Sequence, residues 1–309
     1  MNVLVTGANG FVGRRLVSAL LDGGYEVTAL VRDADRYDEP SGVRVVEGDL
    51  LEPGSFDQAL DVDAAYYLVH SMQSGSDFEE RDRLAARTFA DAASEAGIER
   101  VVYLGGLGSG RDRLSKHLRS RREVEQILGE GDYELTTLRA AIVVGEGSAS
   151  FEMIEQLAKR LPVMVTPQWV QTECQPIAID DVVAYLVGVL DVPETAGETY
   201  EIGGPEVLTY GELLERTGAQ LGQSTRIVAV PVLTPRLSAY WVDLVTDVPR
   251  SVARPLIEGL KNPVVVEDTR IRDLIPIELT PFDVAVERAL GTDRLDPTQS
   301  TSAEPTRAD

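Results

Sequence analysis

Three glycines near the amino terminus place the strongest constraint on the fold of this chain. The segment VLVTGANGFVGRRLV puts Gly7, Gly10 and Gly13 directly after an apolar run that predicts a strand, and at the start of an amphipathic helix. In such a loop the first glycine allows a tight turn, the second lets the backbone approach a pyrophosphate, and the third lets helix and strand pack closely. Because a second strand follows, the sequence predicts a dinucleotide site here.

The first half of the chain alternates short apolar runs with amphipathic helical patterns. Runs such as AAYYLV and RVVYLGG are apolar without alternation, which is typical of strands covered by helices on both faces of a parallel sheet. The predicted fold class is therefore α/β, a doubly wound parallel sheet of the Rossmann type. The strands are predicted at residues 3–5, 26–31, 43–47, 64–69, 101–104 and 134–144.

The regular alternation of apolar runs and helical patterns ends after Gly145. We therefore divide the chain into a nucleotide domain and a smaller lobe. Residues 1–204 are predicted to form the nucleotide domain, with 151–175 contributing to a smaller C-terminal lobe. Residues 205–291 form most of that lobe, which is expected to hold a substrate or a partner. The apolar segment 237–245 is interpreted as lobe core or substrate pocket, and the polar residues 292–309 as a disordered tail.

The chain has a large negative net charge, which limits its possible partners. Acidic residues outnumber basic ones 51 to 29, the formal net charge is -22, and the lysines are Lys116, Lys159 and Lys261 alone. We interpret this composition as adaptation to a salty cytoplasm, since salt screens the self-repulsion of such a surface. An acidic protein from an ordinary cytoplasm is the alternative. Either interpretation excludes nucleic acid as a partner, because binding phosphate needs a basic face.

Other features indicate a soluble cytoplasmic protein. Cys174 is the only cysteine, so no internal disulfide is expected. No apolar run approaches the roughly 18 residues of a membrane-spanning helix, and the first residues do not resemble a signal peptide. No metal site is predicted.

The end of the second strand bears on the choice of cofactor. Enzymes that use NAD usually carry a carboxylate there for the ribose hydroxyls, but this chain has Arg32, which suits a 2'-phosphate. Asp33 follows and leaves NAD as the alternative. The sequence favours NADP. Asp49, after the third strand, is placed to accept a hydrogen bond from the adenine amino group.

Several segments, taken in order, resemble the extended branch of the short-chain dehydrogenase/reductase superfamily. They are TGANGFVG, GDL, YLVH, VVYLGG, LRAAIVVGEG, QPIAIDDVVAYL and YEIGGPEVLTYGEL, and they cover residues 1 to about 225. YYLVHSM, SASFEM and VLTPRLSAYWV look like an atypical NAD(P)-binding group, more distantly similar to NmrA-like proteins and to the short-chain-type accessory subunit of respiratory complex I. The resemblance implies that the dinucleotide is contacted by Thr6, Gly7, Asn9, Gly10, Phe11, Val12, Gly13, Arg32, Asp49, Leu50, Val69, His70, Gly105 and Arg121.

The chain departs from that superfamily at its catalytic positions. The family motif Tyr-x-x-x-Lys is absent; laid against HLRSRREVE, its tyrosine falls on His117 and its lysine on Arg121. The serine or threonine that the family has at the end of the fifth strand is also missing, and Gly105 and Gly106 stand there. The catalytic candidates are thus His117 and Arg121.

These two residues have three possible roles. They lie four positions apart and would share one helix face. Arg121 cannot give up a proton, but it can hold a ribose hydroxyl or a phosphate. His117 could protonate a carbonyl oxygen in place of the tyrosine. The alternative is a solvated cationic helix end, with Glu123 and Glu125 as partners. His70 is expected on the same ligand side of the sheet.

Three functions remain open. The first is an NADP-dependent reductase of an apolar carbonyl or quinone-like substrate, with the proton coming from His117, water or the substrate. The second is a non-catalytic NADP(H)-binding redox sensor, or an assembly or accessory protein, which explains the missing tyrosine, lysine and serine. A sugar-nucleotide epimerase is the weakest, because it needs the tyrosine.

Overall fold

The computed structural model describes residues 1–38, 40–70, 77–108, 115–160, 163–223, 226–230, 260 and 262–291. Residues 111–114, the apolar segment 237–245 and the predicted tail 292–309 lie outside this part of the chain. In the first half, strands and helices alternate: β1 (Asn2–Thr6), α1 (Gly13–Asp22), β2 (Glu26–Val31), β3 (Arg44–Glu47), β4 (Ala64–Tyr67), α2 (Phe78–Ala96), β5 (Arg100–Gly106), α3 (Lys116–Leu128) and β6 (Glu134–Ala140).

Most strands of the second half are shorter than those of the first. The strands and helices of this half are β7 (Val143–Val144), α4 (Ala149–Arg160), β8 (Val163–Pro167), β9 (Glu173–Cys174), β10 (Ile177–Ala178), α5 (Ile179–Asp191), β11 (Thr199–Ile202), β12 (Leu208–Thr209), α6 (Tyr210–Gln220), β13 (Arg226–Val230), α7 (Arg270–Leu274) and α8 (Phe282–Leu290).

Among the described residues, seven strands form one parallel sheet in the order β11-β6-β5-β4-β1-β2-β3. The order reverses between β1 and β4, and a crevice opens at such a switch point beyond the carboxyl ends of the strands. The predicted doubly wound Rossmann fold is confirmed.

Helices cover both faces of this sheet. On one face α2 and α3 pack through Phe89, Val124 and Leu128. On the other face α1 and α5 pack through residues such as Leu16 and Leu186. Because both faces are covered, the strands carry apolar side chains in both directions, as the non-alternating runs predicted.

Most strands begin and end within one or two residues of the predicted bounds, and two differences change the sheet itself. The run 134–144 forms two strands, since the chain leaves the large sheet after Ala140 and Val143 then pairs with Ile177 of β10. The short strand at 199–202 joins the large sheet as its edge strand beside β6. The prediction from sequence did not assign β11 to this sheet, because a four-residue strand carries no signal of its neighbour.

A third apolar cluster lies apart from the two sheet layers. It combines α4, α6 and α8 through Leu157, Leu214 and Val286, together with Phe78 at the start of α2. Residues 151–175 contribute Phe151 and Cys174 to this cluster. Ile271 and Ile275, by contrast, pack with the sheet layer of α5. None of the described helices is long and apolar enough to cross a bilayer.

The opposite edge of the sheet is the short strand β3. Its terminal side chains are charged and are held by neighbouring backbone. Arg44 donates to the carbonyl of Gln58 at 2.9 Å, and Glu47 accepts from the amide of Ala34 at 3.0 Å.

Candidate functional site

The glycine loop has the geometry that a pyrophosphate site needs. Gly7 has a φ of 66°, a left-handed conformation that favours glycine, and its carbonyl accepts from the amide of Gly10 at 2.9 Å. A Cβ on Gly13 would lie 2.2 Å from the carbonyl oxygen of Gly7. Position 13 therefore tolerates only glycine if the loop is to keep this shape.

The start of α1 is electrostatically open. Its first turn carries no acidic residue, and its N-cap, Val12, makes no side-chain hydrogen bond. The amides of Arg14 and Arg15 donate to the carbonyls of Gly10 and Val12, so this terminus offers an anion the amides that precede them and the positive end of the helix dipole.

A cavity of about 560 Å³ runs along the carboxyl edge of the sheet. Its wall takes residues that follow β1, β2, β3, β4, β5 and β6, and it ends against the third apolar cluster. It includes most positions that the sequence suggested for the dinucleotide and for catalysis: Gly7, Asn9, Gly10, Phe11, Val12, Gly13, Arg32, Asp49, Leu50, Val69, His70, Gly105, His117 and Arg121.

Thr6 does not line the cavity. Its side chain is fully buried, and its hydroxyl donates to the carbonyl of Tyr66 at 2.9 Å and accepts from the amide of Leu68 at 3.1 Å. In this structure Thr6 therefore ties β1 to the segment after β4, at the switch point of the sheet.

Arg32 and Asp33, at the end of the cavity near β2 and β3, have different surroundings. Arg32 is exposed, lines the wall and forms no ion pair with any residue that the structure describes. Asp33 is not part of the wall and pairs with Arg36 at 3.1 Å. Asp49 lines the wall, and one of its carboxylate oxygens accepts from the amide of Leu51 at 2.9 Å, which fixes the side chain.

The opposite end, at β4 and β5, contains the altered catalytic positions. His70, His117 and Arg121 all face the cavity. The backbone carbonyl of Arg121 accepts from the hydroxyl of Tyr103 at 3.1 Å. The guanidinium of Arg121 has no hydrogen bond or ion pair within the described ranges. It is therefore available to a ligand.

Neighbouring side chains of α3 have structural partners instead. Ser120 is buried and donates to Asp82 of α2 at 2.9 Å. Glu125 forms an ion pair with Arg139 of β6. Ser120 and Glu125 thus connect α3 to its neighbours.

Gly106 shows how the end of β5 accommodates the loss of the family's hydroxyl residue. A Cβ at this position would lie 2.8 Å from Cδ2 of Leu118. Leu118 of α3 occupies the space that a side chain on β5 would need. A serine at Gly106 would require Leu118 to move.

Both histidines have strongly lowered pKa values. Burial in the cavity wall lowers the pKa of His117 to about 3, with smaller contributions from the charges of Arg121 and His70. Burial and then the charge of Arg121 lower the pKa of His70 to about 4. His70 is exposed to solvent, while His117 is half-buried, so we expect the larger lowering of the pKa at His117. At pH 7 both rings are neutral, and neither holds the imidazolium proton that a general acid would give.

Sequence reasoning missed the apolar end of the cavity and one cation. The apolar end is formed by Leu107, Ile142, Met153, Ile154, Leu157, Tyr210, Leu214, Leu260 and Val264. The cation is Arg81 of α2, which also lines the wall. The period of α4 signalled one buried face, but nothing distinguished a face that lines a cavity from one that fills a core. Arg81 lies in the run EERDR, which is typical of a solvated helix start.

Comparison with known proteins agrees with this geometry. Residues 7–160 match a family of domains described as NAD(P)H-binding. Alpha-subcomplex subunit 9 of mitochondrial NADH dehydrogenase (ubiquinone) 1 from Arabidopsis thaliana is 27% identical over 307 residues, covering 91% of this chain and 75% of the relative. Ceramide reductase from Caulobacter vibrioides is 28% identical over 235 residues, covering 74% and 73%.

The solved structures give the same fold. A nucleoside-diphosphate-sugar epimerase from Staphylococcus aureus superposes with a TM-score of 0.74 at 14% identity, over 93% of this chain and 100% of that one. At this identity the likeness shows the fold alone. The glycine loop, the sheet order and the match over residues 7–160 lead to one conclusion. The chain carries an NAD(P)H-binding Rossmann domain and is homologous to subunit 9 of mitochondrial NADH dehydrogenase.

Proposed function

We propose that this protein binds NADP(H) along the cavity and is an oxidoreductase of the atypical short-chain type, acting on an apolar carbonyl or quinone-like substrate. The observation that carries the choice of NADP is the contrast between Arg32 and Asp33. Arg32 lines the wall without an ion-pair partner among the described residues, while Asp33 pairs with Arg36 outside it. A guanidinium in this position suits a 2'-phosphate, whereas NAD would need the carboxylate.

The residues present fit a dinucleotide. The absence of a Cβ at Gly13 keeps the loop close to α1, and the uncapped start of α1 offers amides to the pyrophosphate. Asp49 is oriented by its bond to Leu51 and can accept from the adenine amino group. The bound cofactor supplies the hydride, and the protein supplies position and electrostatics.

The other end of the cavity determines which contacts the protein makes with the substrate and with the rest of the cofactor. Arg121, whose backbone is held by Tyr103, would bind a ribose hydroxyl or a phosphate. His117 is neutral at pH 7 and would donate one hydrogen bond to a carbonyl oxygen rather than transfer an imidazolium proton. The proton for a reduced product would then come from water or from the substrate. The apolar wall favours a substrate with a hydrocarbon portion.

A non-catalytic NADP(H)-binding protein is the second candidate. The observation that favours it is the combined loss of acid catalysis: Gly106 and Leu118 fill the place of the family's hydroxyl residue, and His117 is neutral. The mitochondrial NADH dehydrogenase subunit among the relatives is consistent with an accessory or assembly role. An epimerase is the weakest candidate, because proton exchange at a sugar hydroxyl needs the missing tyrosine.

Nucleotide titration combined with single-turnover kinetics tests the proposal. We expect NADPH to bind, and bound NADPH to be oxidised by at least one member of a panel of quinones, enones and aldehydes. Arg121→Ala should weaken NADPH binding by about 1.5–3 kcal/mol, the value of a charge-assisted hydrogen bond. His117→Ala should have a mild effect on both binding and turnover.

The contrary outcomes are distinct. NADPH binding without turnover across the panel would favour the non-catalytic candidate. A loss of turnover of roughly 10²–10⁴ in His117→Ala with NADPH affinity unchanged would make His117 the proton donor and contradict the role given to it here. Arg119→Ala is the matched control for Arg121→Ala, because Arg119 lies on the same helix but outside the cavity wall.

A further inference from the structure

Within the part of the chain that the structure describes, the side chain of Arg81 on α2 has no hydrogen-bond or ion-pair partner. Its side chain lines the cavity, its Nε is buried without a hydrogen-bond partner, and its guanidinium forms no ion pair with a described residue. Arg83, two positions on, pairs with Glu123 at 2.8 Å. A buried guanidinium N–H that is left unpaired destabilises the protein, so a ligand that satisfies it binds with a corresponding advantage.

Arg81 lies where the dinucleotide end of the cavity meets the apolar end. Phe78, one helical turn earlier on α2, is buried in the cluster that contains Leu107 and Leu157. Ala85, one turn later, lines the cavity. α2 connects β4 to β5, whereas Arg32 follows β2, so the two arginines belong to different parts of the sheet edge.

The charge of the cavity wall is opposite to that of the chain. Acidic residues outnumber basic ones 51 to 29 overall. The described wall, however, carries Arg32, Arg81 and Arg121 against the single carboxylate of Asp49. Asp49 follows β3, at the adenosine end, and both wall histidines are neutral. The β4–β5 end of the wall is therefore cationic, and it adjoins an apolar surface.

We propose that Arg81 binds the anionic head group of an amphiphilic second ligand whose hydrocarbon chain lies against the apolar end of the cavity. The ligand class is an alkyl phosphate or a long-chain carboxylate. This inference rests on the proposed function, because it assigns the dinucleotide to the glycine loop and leaves Arg81 to the substrate. Arg81 thereby determines which substrates the protein accepts.

Calorimetric titration of the NADPH-loaded protein provides the test. The probes are hexyl, octyl and decyl phosphate, decanoate and decanol, all below the concentrations at which they form micelles. Decyl phosphate and decanoate should bind roughly tenfold or more tightly than decanol. Affinity should rise from hexyl to decyl phosphate, by up to about fourfold for each methylene that becomes buried.

Variants of α2 separate head-group recognition from a general effect on the helix. Arg81→Gln should abolish the preference for the anionic probes, and Arg81→Lys should keep most of it. Both should bind NADPH within about twofold of the parent. Arg87→Gln is the matched control, because Arg87 is exposed on the same helix and is not part of the wall.

Two results would overturn the inference while leaving the proposed function intact. One is equal affinity for decyl phosphate and decanol in a parent protein that binds NADPH. The other is a tenfold or greater loss of NADPH affinity in Arg81→Gln, which would assign Arg81 to the dinucleotide. A parent protein that does not bind NADPH would instead refute the proposed function.

Discussion

Arg32 and Asp33 follow one another in the chain but face different surroundings, and this contrast makes a direct prediction for cofactor choice. Arg32→Ala should remove a charge-assisted hydrogen bond worth about 1.5–3 kcal/mol. NADPH affinity should therefore fall roughly tenfold to over a hundredfold, while NADH affinity stays nearly unchanged. Calorimetric titration with both nucleotides measures the difference.

A neighbouring arginine supplies the control for this experiment. Arg36 pairs with Asp33 and does not line the cavity. Arg36→Ala should therefore change the affinities for NADPH and NADH only slightly and by the same factor. Equal losses for the two nucleotides in Arg32→Ala would remove the argument for NADP.

The lowered pKa values of the two histidines make a prediction about how stability depends on pH. Their pKa values, about 4 for His70 and about 3 for His117, lie below the ordinary value of 6.5. Below pH 6.5 the folded protein thus binds fewer protons than the unfolded chain. The free energy of unfolding should therefore decrease as the pH falls from about 6.5 towards 4 and 3. Imidazole NMR should show both rings neutral at pH 5.5. Arg121→Gln should raise both pKa values.

Assignment of these signals is simple because the chain has only two histidines. Each of the variants His70→Gln and His117→Gln retains one histidine, so its NMR spectrum should show the signals of one imidazole ring. A native-state pKa near 6.5 for His117 would restore it as an acid and contradict the electrostatic account of the cavity.

All but one of the site residues that the sequence suggested line the cavity, since the glycine spacing and the strand ends are local signals. Sequence reasoning assumed an ordinary pKa for His117, because the burial and the proximity of Arg121 and His70 that lower this value arise only in the fold. Arg81 was missed for a related reason. An arginine that faces water and one that faces a cavity have the same local sequence.

At the scale of elements, the packing of α3 on β5 makes the next prediction. Gly106→Ser would introduce the family's hydroxyl residue but would place a Cβ 2.8 Å from Leu118. The contacting atom is the end of a flexible side chain that can turn away, so we expect a cost near the lower end of the about 1–3 kcal/mol that overpacking takes from the free energy of unfolding. The double variant Gly106→Ser/Leu118→Ala should be more stable than the sum of the two single changes predicts, because the smaller side chain makes room. Urea denaturation of the four proteins measures this coupling.

If the energies of Gly106→Ser and Leu118→Ala simply add, the contact between α3 and β5 is not the reason for the glycine. Nucleotide titration of Gly106→Ser serves as a further readout, since a shift of α3 would also displace Arg121.

Elements with strong periodicity could be predicted from the sequence, and elements defined by their partners could not. The bounds of β2 agree with the prediction because an apolar run ends at a charged residue. The division of 134–144 into β6 and β7 depends on pairing with β10, a contact about 35 residues away in the chain. The apolar end of the cavity likewise depends on how α4 and α6 meet.

For the whole molecule, net charge makes the main prediction. With a formal charge of -22, the folded chain repels itself at low ionic strength, and the Debye length falls from about 10 Å at 0.1 M to about 3 Å at 1 M salt. The melting temperature should therefore rise between 0.1 and 3 M KCl. A flat melting temperature over this range would refute the interpretation as a salt-adapted protein.

Comparison with sodium sulfate at equal ionic strength separates screening from salting-out. Sulfate also strengthens the burial of apolar surface, so an increase seen in both salts at low concentration reports the screening of charge. Ion pairs such as Arg270–Glu198, whose side chains are more than two-fifths exposed, contribute little in either salt.

The charged edge strand β3 bears on how such a protein avoids aggregation. Concentrated salt removes the long-range repulsion that keeps acidic molecules apart, and an open sheet edge then becomes a template for a second copy. Arg44 and Glu47 occupy the two ends of this edge, and their bonds to Gln58 and Ala34, at 2.9 and 3.0 Å, are direct contacts, which salt screens less than the repulsion between molecules. We therefore expect these contacts within one molecule to persist when salt removes the repulsion between molecules.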